Sequence, residues 1–191
     1  MPFLFFFVAT QVDGDNASLH HQWNIISTES INALLYALTH NDEVVRFYAL
    51  KTIENTVILT NVAKAYFALN DEFINRISEI YLNDHNNNIE IKTSALNTVA
   101  HIVKLEPMLM KVFINKFTNE TLGNVLNNES SKNQQCIINI MLFGIVGNVN
   151  NIKLIDFDDL MLTLVNLLET ANSVVRGKII LLLSLVFSDK Y

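Results

Sequence analysis

One cysteine in 191 residues leaves no partner for an intrachain disulfide, so nothing in the chain calls for an oxidising compartment. Two prolines and five glycines leave long uninterrupted stretches, which favours helices over turn-rich β architecture. Charged residues make up only 17% of the chain against 50% hydrophobic ones, and this excludes a disordered tail or solvated linker. Basic charge is also scarce. Thirteen Lys and Arg face 19 Asp and Glu, and a net charge of −6 argues against a nucleic-acid binder with a basic stripe. No apolar run approaches the ~20 residues that span a bilayer. What remains is a chain long enough for one domain or two small ones, mostly buried and mostly helical.

The apolar runs that do occur are short. Residues 3–9 (Phe3-Leu4-Phe5-Phe6-Phe7-Val8-Ala9) lack the basic flank and small-residue cleavage site of a secretory signal. They read as a buried strand or helix stub, as a ragged start, or as a weak signal peptide. The run Ile179–Phe187 reads as a core helix that needs neighbours on every side. Three N-x-S/T sequons begin at Asn16, Asn119 and Asn128, as many as chance gives in a chain with about 25 asparagines.

Apolar periodicity and capping residues predict helices at about 28–38, 42–59, 62–69, 71–83, 89–105, 107–117, 119–127, 132–147, 158–170 and 174–187. Asn41 is the expected cap of the second, and the Asn-rich stretch 148–153 reads as a loop. A period underlies the series. Val45-Arg46 and Ile91-Lys92 stand 46 apart, Gln134-Gln135 follows 43 later and Val175-Arg176 another 41. In that frame Val45, Ala49, Ile53 and Val57 align with Ile91, Ala95, Val99 and Val103. The later rows are Gln134, Ile138, Leu142 and Val146, then Val175, Ile179, Leu183 and Phe187. Gln134 is the one polar residue in these rows, and the adjacent column is basic or amide: Arg46, Lys92, Gln135, Arg176. A period of about 40–47 residues with two or three helices per unit marks HEAT and armadillo arrays, whose helix pairs bury their apolar faces only by stacking.

The stretch Asn41-Asp42-Glu43-Val44-Val45-Arg46-Phe47-Tyr48-Ala49-Leu50 resembles a HEAT-type motif. Extended through Lys51-Thr52-Ile53-Glu54-Asn55, it is similar to the helical-repeat region of Fused-like and Runkel-like members of the unc-51-like serine/threonine kinase family. Val175-Arg176-Gly177-Lys178 and its aliphatic continuation resemble the later repeats of the same family. The resemblance covers residues 28–187, with these two stretches as its specific parts. It implies an armadillo/HEAT scaffold cut from the C-terminal half of a kinase or pseudokinase. It also implies kinesin or microtubule-associated partners and a cytoplasmic place, at the cytoskeleton or cilium.

No catalytic constellation is present in the sequence. None of the five glycines forms a G-x-G-x-x-G loop, H-R-D is absent, and Asp156-Phe157-Asp158 lacks the glycine of D-F-G. Asp156, Asp158 and Asp159 precede a helix and read as capping rather than as a metal cluster. Asp13-Gly14-Asp15-Asn16 starts like a calcium loop but has Asn24 where the twelfth-position Glu would stand, so it reads as a turn. Cys136 reads as a small buried hydrophobe. His20, His21, His40, His85 and His101 show no metal-ligand spacing.

The expectation is an all-α chain: a right-handed α-solenoid of about four HEAT/armadillo-type repeats over 27–191, behind an irregular extension at 1–26. It has no enzymatic activity, cofactor or metal, and its partners are proteins rather than nucleic acid, membrane or small molecules. Phe47, Tyr48, Lys51 and His101 are the candidate binding residues, because aromatics and cations carry hot-spot chemistry. Phe47 and Tyr48 fit the inter-repeat core equally well. Arg46, Lys92 and Arg176 have two readings. Either they pair with acids such as Asp42 and Asp84 as a ladder between repeats, or they line a groove for an acidic partner. Other classes are a stand-alone HEAT adaptor of the trafficking or phosphatase-scaffold type, and a secreted or membrane-tethered helical protein resting on residues 3–9.

Overall fold

The computed structural model describes residues 28–59, 71–83 and 88–189. The extension 1–26, the helix expected at 62–69, Asp84 and His85 lie outside the described residues. The described chain is all helical, with no strand among its residues. Its helices are α1 (Thr28–Ala37), α2 (Glu43–Leu59), α3 (Asp71–Leu82), α4 (Ile89–Leu105), α5 (Met110–Lys116), α6 (Asn119–Asn128), α7 (Ser131–Gly147), α8 (Phe157–Thr170) and α9 (Ser173–Asp189). Two 3-10 segments, Pro107–Leu109 and Val149–Leu154, interrupt the sequence of helices.

The helix starts follow from local chemistry. The side chains of Asn88, Thr118, Ser130 and Asp156 accept hydrogen bonds from backbone N–H groups of the first turns of α4, α6, α7 and α8, as N-caps do. Asn172 Oδ1 does the same for Val174 and Val175 in α9. At α2 the cap is Asp42, whose Oδ1 accepts from the Val44 amide at 2.9 Å, and not the expected Asn41. The Asn-rich stretch after α7 also departs from expectation. It winds into the 3-10 segment because Asn148 caps it and the buried Asn151 ties it down, its Nδ2 donating to the Pro107 and Gly144 carbonyls at 2.9 Å each.

Four helices, α2, α4, α7 and α9, are each 17 residues long. They touch in order, α2 on α4, α4 on α7 and α7 on α9. The shorter helices pack beside them, α1 on α2, α3 on α4, α6 on α7 and α8 on α9, while α3 meets α5 and α6 meets α8. The buried faces of the long helices share one register. In α4 they are Ile91, Ser94, Ala95, Leu96, Thr98, Val99, Ala100, Ile102 and Val103. Forty-six residues earlier stand the buried Ala49, Leu50, Thr52, Ile53, Glu54, Thr56 and Val57 of α2. Forty-two residues later stand Asn133, Cys136, Ile137, Ile138, Ile140, Met141, Leu142, Gly144 and Ile145, the buried set of α7. Another 42 reach Val175, Ile179, Leu182 and Val186 of α9.

The expected spacings of 43 and 41 are therefore corrected to 42 and 42. Asn133, not Gln134, occupies the place of Ile91, and Val146, expected in the core, is 65% exposed. Phe187 is in register but 46% exposed.

Side-chain hydrogen bonds repeat the same interval. Asn88 to Glu43, Ser94 and Asn97 to Glu54, Thr93 to Asn133, Asn172 to Ser131 and Asn119 to the Asp156 carbonyl all join residues 37–45 apart. Each of these bonds ties together residues about 40 apart in the chain that the packing of the helices brings into contact.

Candidate functional site

The corrected register places the expected binding residues on one face of the long helices. Phe47 aligns with Thr93, Gln135 and Gly177, and Lys51 with Asn97, Asn139 and Leu181. Asn55 aligns with His101, Phe143 and Leu185, and Tyr48 with Ser94, Cys136 and Lys178. Most of these side chains are half-buried, while Gly177 and Leu181 are exposed and Ser94 and Cys136 buried. Phe47 packs its inner edge on the core and meets Tyr48 edge-on, with ring centroids 5.5 Å apart at 63°. Phe47 thus contributes to packing, and both rings stay half-buried. Lys51 is engaged, its Nζ donating to Glu54.

Beneath that face lies a polar pin the sequence reading missed. Glu54 is 6% exposed and bridges α2 to α4, accepting from Lys51 Nζ, Ser94 Oγ and, at 2.8 Å, Asn97 Nδ2. Every donor it gathers lies on its own helix or on the next one, so it fixes the pairing of α2 with α4. A second node joins α3, α4 and the start of α7. Lys92 Nζ sits 5.2 Å over the Tyr81 ring and 3.0 Å from Glu129 Oε1, while Asn133 Nδ2 donates to Glu129 Oε2 at 3.2 Å. Burial works against the Glu129 carboxylate, but the hydrogen bonds from Lys92 and Asn133 outweigh it and hold its carboxyl below the ordinary value. Burial, reinforced by the neighbouring Glu129 charge, pushes the Tyr81 hydroxyl up, so it stays protonated beside that carboxylate. Tyr81 lies outside any apolar column, and no spacing rule connects it to Glu129.

The basic column resolves into a different role at its two arginines. Arg46 Nη1 donates to the carbonyls of His40 and Asn41 at 2.7 and 2.9 Å, and Arg176 Nη2 to that of Ala171 at 3.0 Å. With the register corrected, Gln134 replaces Gln135 in this column, and its Nε2 donates to the Leu126 carbonyl at 3.0 Å. Gln134 and Arg176 thus satisfy carbonyls at the end of the preceding helix, which have no intrahelical donor, while Arg46 satisfies two carbonyls of the loop before its own helix. Arg46 reaches those carbonyls rather than Asp42, whose carboxylate is occupied as the cap of α2. Lys92 pairs forward with Glu129.

At one end of the face, an open pocket of about 380 Å³ lies between the first turns of α2 and α4. Glu43, Val44, Phe47, Tyr48, Asn88 and Glu90 line it. Asn88 Nδ2 reaches Glu43 Oε1 at 3.3 Å, and the Glu90 carboxylate is exposed. A second cavity of about 350 Å³, beside the α1–α2 loop, contains Arg46 and Arg76, both engaged by backbone carbonyls.

The remaining chemistry is structural. Burial and the Glu54 charge push the Cys136 thiol up to about 12, which leaves it protonated and unreactive at neutral pH. Asp156 Oδ1 accepts from the Asp158 and Asp159 amides, as capping requires. Among the described residues no group of three or more His, Cys, Asp or Glu is placed to hold a metal, and no helix is long and apolar enough to cross a membrane.

The chain matches no family model and no curated protein. Among solved structures it is similar to the crystal structure of an engineered protein, a Northeast Structural Genomics Consortium target. The TM-score is 0.58 at 15% identity, over 98% of this chain and 97% of the other. That likeness shows the fold alone.

Proposed function

We propose that this chain is a non-catalytic helical-repeat scaffold that binds other proteins, an α-solenoid of about four HEAT/armadillo-type units. The observation that carries the reading is the shared register. Four 17-residue helices present equivalent, half-exposed positions side by side, so Phe47, Tyr48, Asn97, His101, Phe143 and Leu181 form one surface. A surface built on packed helices loses little conformational entropy on binding, which favours recognition of an extended or helical partner. The sequence resemblance supports a parent protein of the Fused-like kinase or pseudokinase type, with kinesin or microtubule-associated partners at the cytoskeleton or cilium.

The test is a screen of the purified chain against a displayed library of folded protein fragments, followed by point variants. Lys104→Glu and Leu181→Glu change exposed positions on the proposed face, and Glu120→Lys an exposed position on α6. Binding lost with the first two and kept with the third supports the reading. Fragments that ignore the first two variants, or a screen without a saturable binder, would overturn it.

A further inference from the structure

The pocket between the first turns of α2 and α4 combines two features. Its wall is an aromatic corner, Phe47 and Tyr48 set edge to face, and its rim carries two carboxylates, Glu43 from α2 and Glu90 from α4. Among the described residues, none of those lining it is basic. The carboxylates stand in the first turns of α2 and α4, and both line the pocket together with the aromatic corner. Glu90 is exposed, and no ion pair among the described residues involves it. The chain as a whole is acidic, at −6.

From this geometry we infer that the pocket receives an arginine side chain from a basic, extended peptide segment of the partner. A guanidinium is the group that uses both features at once. Its flat face stacks against an aromatic ring while its edge presents several N–H donors to carboxylates. An ammonium would satisfy the charge but not the stacking. The volume of about 380 Å³ and the open mouth suit a side chain entering from the surface rather than an enclosed small molecule. This inference rests on the scaffold reading and adds the partner's chemistry to it. It also gives Phe47 and Tyr48 a role at their exposed edges, and it places the contact at one end of the shared face, where a peptide running on toward α7 and α9 would pass Asn97 and Asn139.

The test pans a phage-displayed random dodecapeptide library on the purified full chain, then measures binding of the selected peptides, fluorescein-labelled, by anisotropy. The expected result is a consensus containing arginine. Replacing that arginine by citrulline, which keeps the shape and removes the charge, should weaken binding about tenfold or more, and lysine should restore only part of it. Glu90→Gln should weaken binding about fivefold without altering the circular dichroism or the thermal midpoint, and raised salt should mimic it. Peptides without a basic consensus, or basic peptides indifferent to Glu90→Gln, would overturn the inference. If such peptides are nevertheless displaced by Leu181→Glu, the scaffold reading stands without it. A library that yields no saturable peptide overturns the inference as well, and the fragment screen then judges the scaffold reading separately.

Discussion

Glu54 is the position where the structure makes its most demanding energetic claim. The carboxylate is 6% exposed and accepts from Ser94, itself 1% exposed, from Asn97 and from Lys51. Glu54→Ala leaves the Ser94 hydroxyl buried without its acceptor, at about 1–3 kcal/mol, and the half-buried Asn97 amide at about 1 kcal/mol. The Lys51 side chain is 29% exposed and can turn to water, so its loss adds little. The sum is about 2–4 kcal/mol, which lowers the thermal midpoint of a domain this size by roughly 5–12 °C. The register also supplies the remedy. In α7 the place of Glu54 is taken by Leu142 and that of Ser94 by Cys136, and in α9 the place of Asn97 is taken by Leu181. The triple variant Glu54→Leu, Ser94→Ala, Asn97→Leu removes every partner of the buried carboxylate except Lys51. It should recover most of the loss, because apolar replacement of a whole buried network is nearly neutral. Urea unfolding followed by helical circular dichroism measures both. A single variant within 0.5 kcal/mol of the parent chain, or a triple variant no better than the single one, would refute the claim that Glu54 holds α2 to α4.

Two further outcomes follow from other contacts. Gly144 occupies in α7 the place of Ile102 in α4, and a Cβ there would drive into the Met110 side chain, so Gly144→Ala should cost about 1–3 kcal/mol in urea unfolding; an unchanged midpoint would show that the packing of α7 against Met110 is loose. Because the Glu129 carboxyl is held below its ordinary value of 4.5 in the folded chain, it contributes stability above that pH and loses it as the pH falls through the folded value. Lys92→Met removes one cause of that lowering, so the fall in stability from pH 7 to acid should be smaller in the variant, and an equal fall would contradict the pairing.

The pattern of what could be read from the sequence has a physical basis. The step from α2 to α4 was legible because Val45, Ala49, Ile53 and Val57 match Ile91, Ala95, Val99 and Val103 in chemistry as well as place. The step to α7 slipped by one residue because the core position there holds an asparagine. Asn133 is buried only because Thr93 Oγ1 and Glu129 satisfy it, and periodicity of apolar residues cannot detect a polar residue whose partners lie a helix away. The same blindness hid Glu54 and Tyr81, whose roles depend on neighbours 40 and 48 residues distant in sequence, Ser94 and Glu129. The carbonyl-capping role of Arg46 was hidden for another reason. A basic side chain one turn inside a helix suggests a carboxylate partner, yet Asp42 is taken up as the cap of α2, and Arg46 donates instead to the His40 and Asn41 carbonyls of the loop before it. Phe47, Tyr48, Lys51 and His101 stand out in the sequence singly, by their chemistry, and the register is what sets them on a common face.

That register is also the account's central claim, and one distance measurement tests it most directly. Val44, Glu90, Lys132 and Val174 hold equivalent positions in α2, α4, α7 and α9, and all four are exposed and tolerant of substitution by a spin-labelled cysteine once Cys136 is replaced by alanine. Double electron–electron resonance between position 44 and each of the others should give distances that lengthen at every step, by roughly 8–10 Å per helix. A distance from 44 to 174 no longer than that from 44 to 132 would contradict the ordered stacking on which the proposed binding face depends.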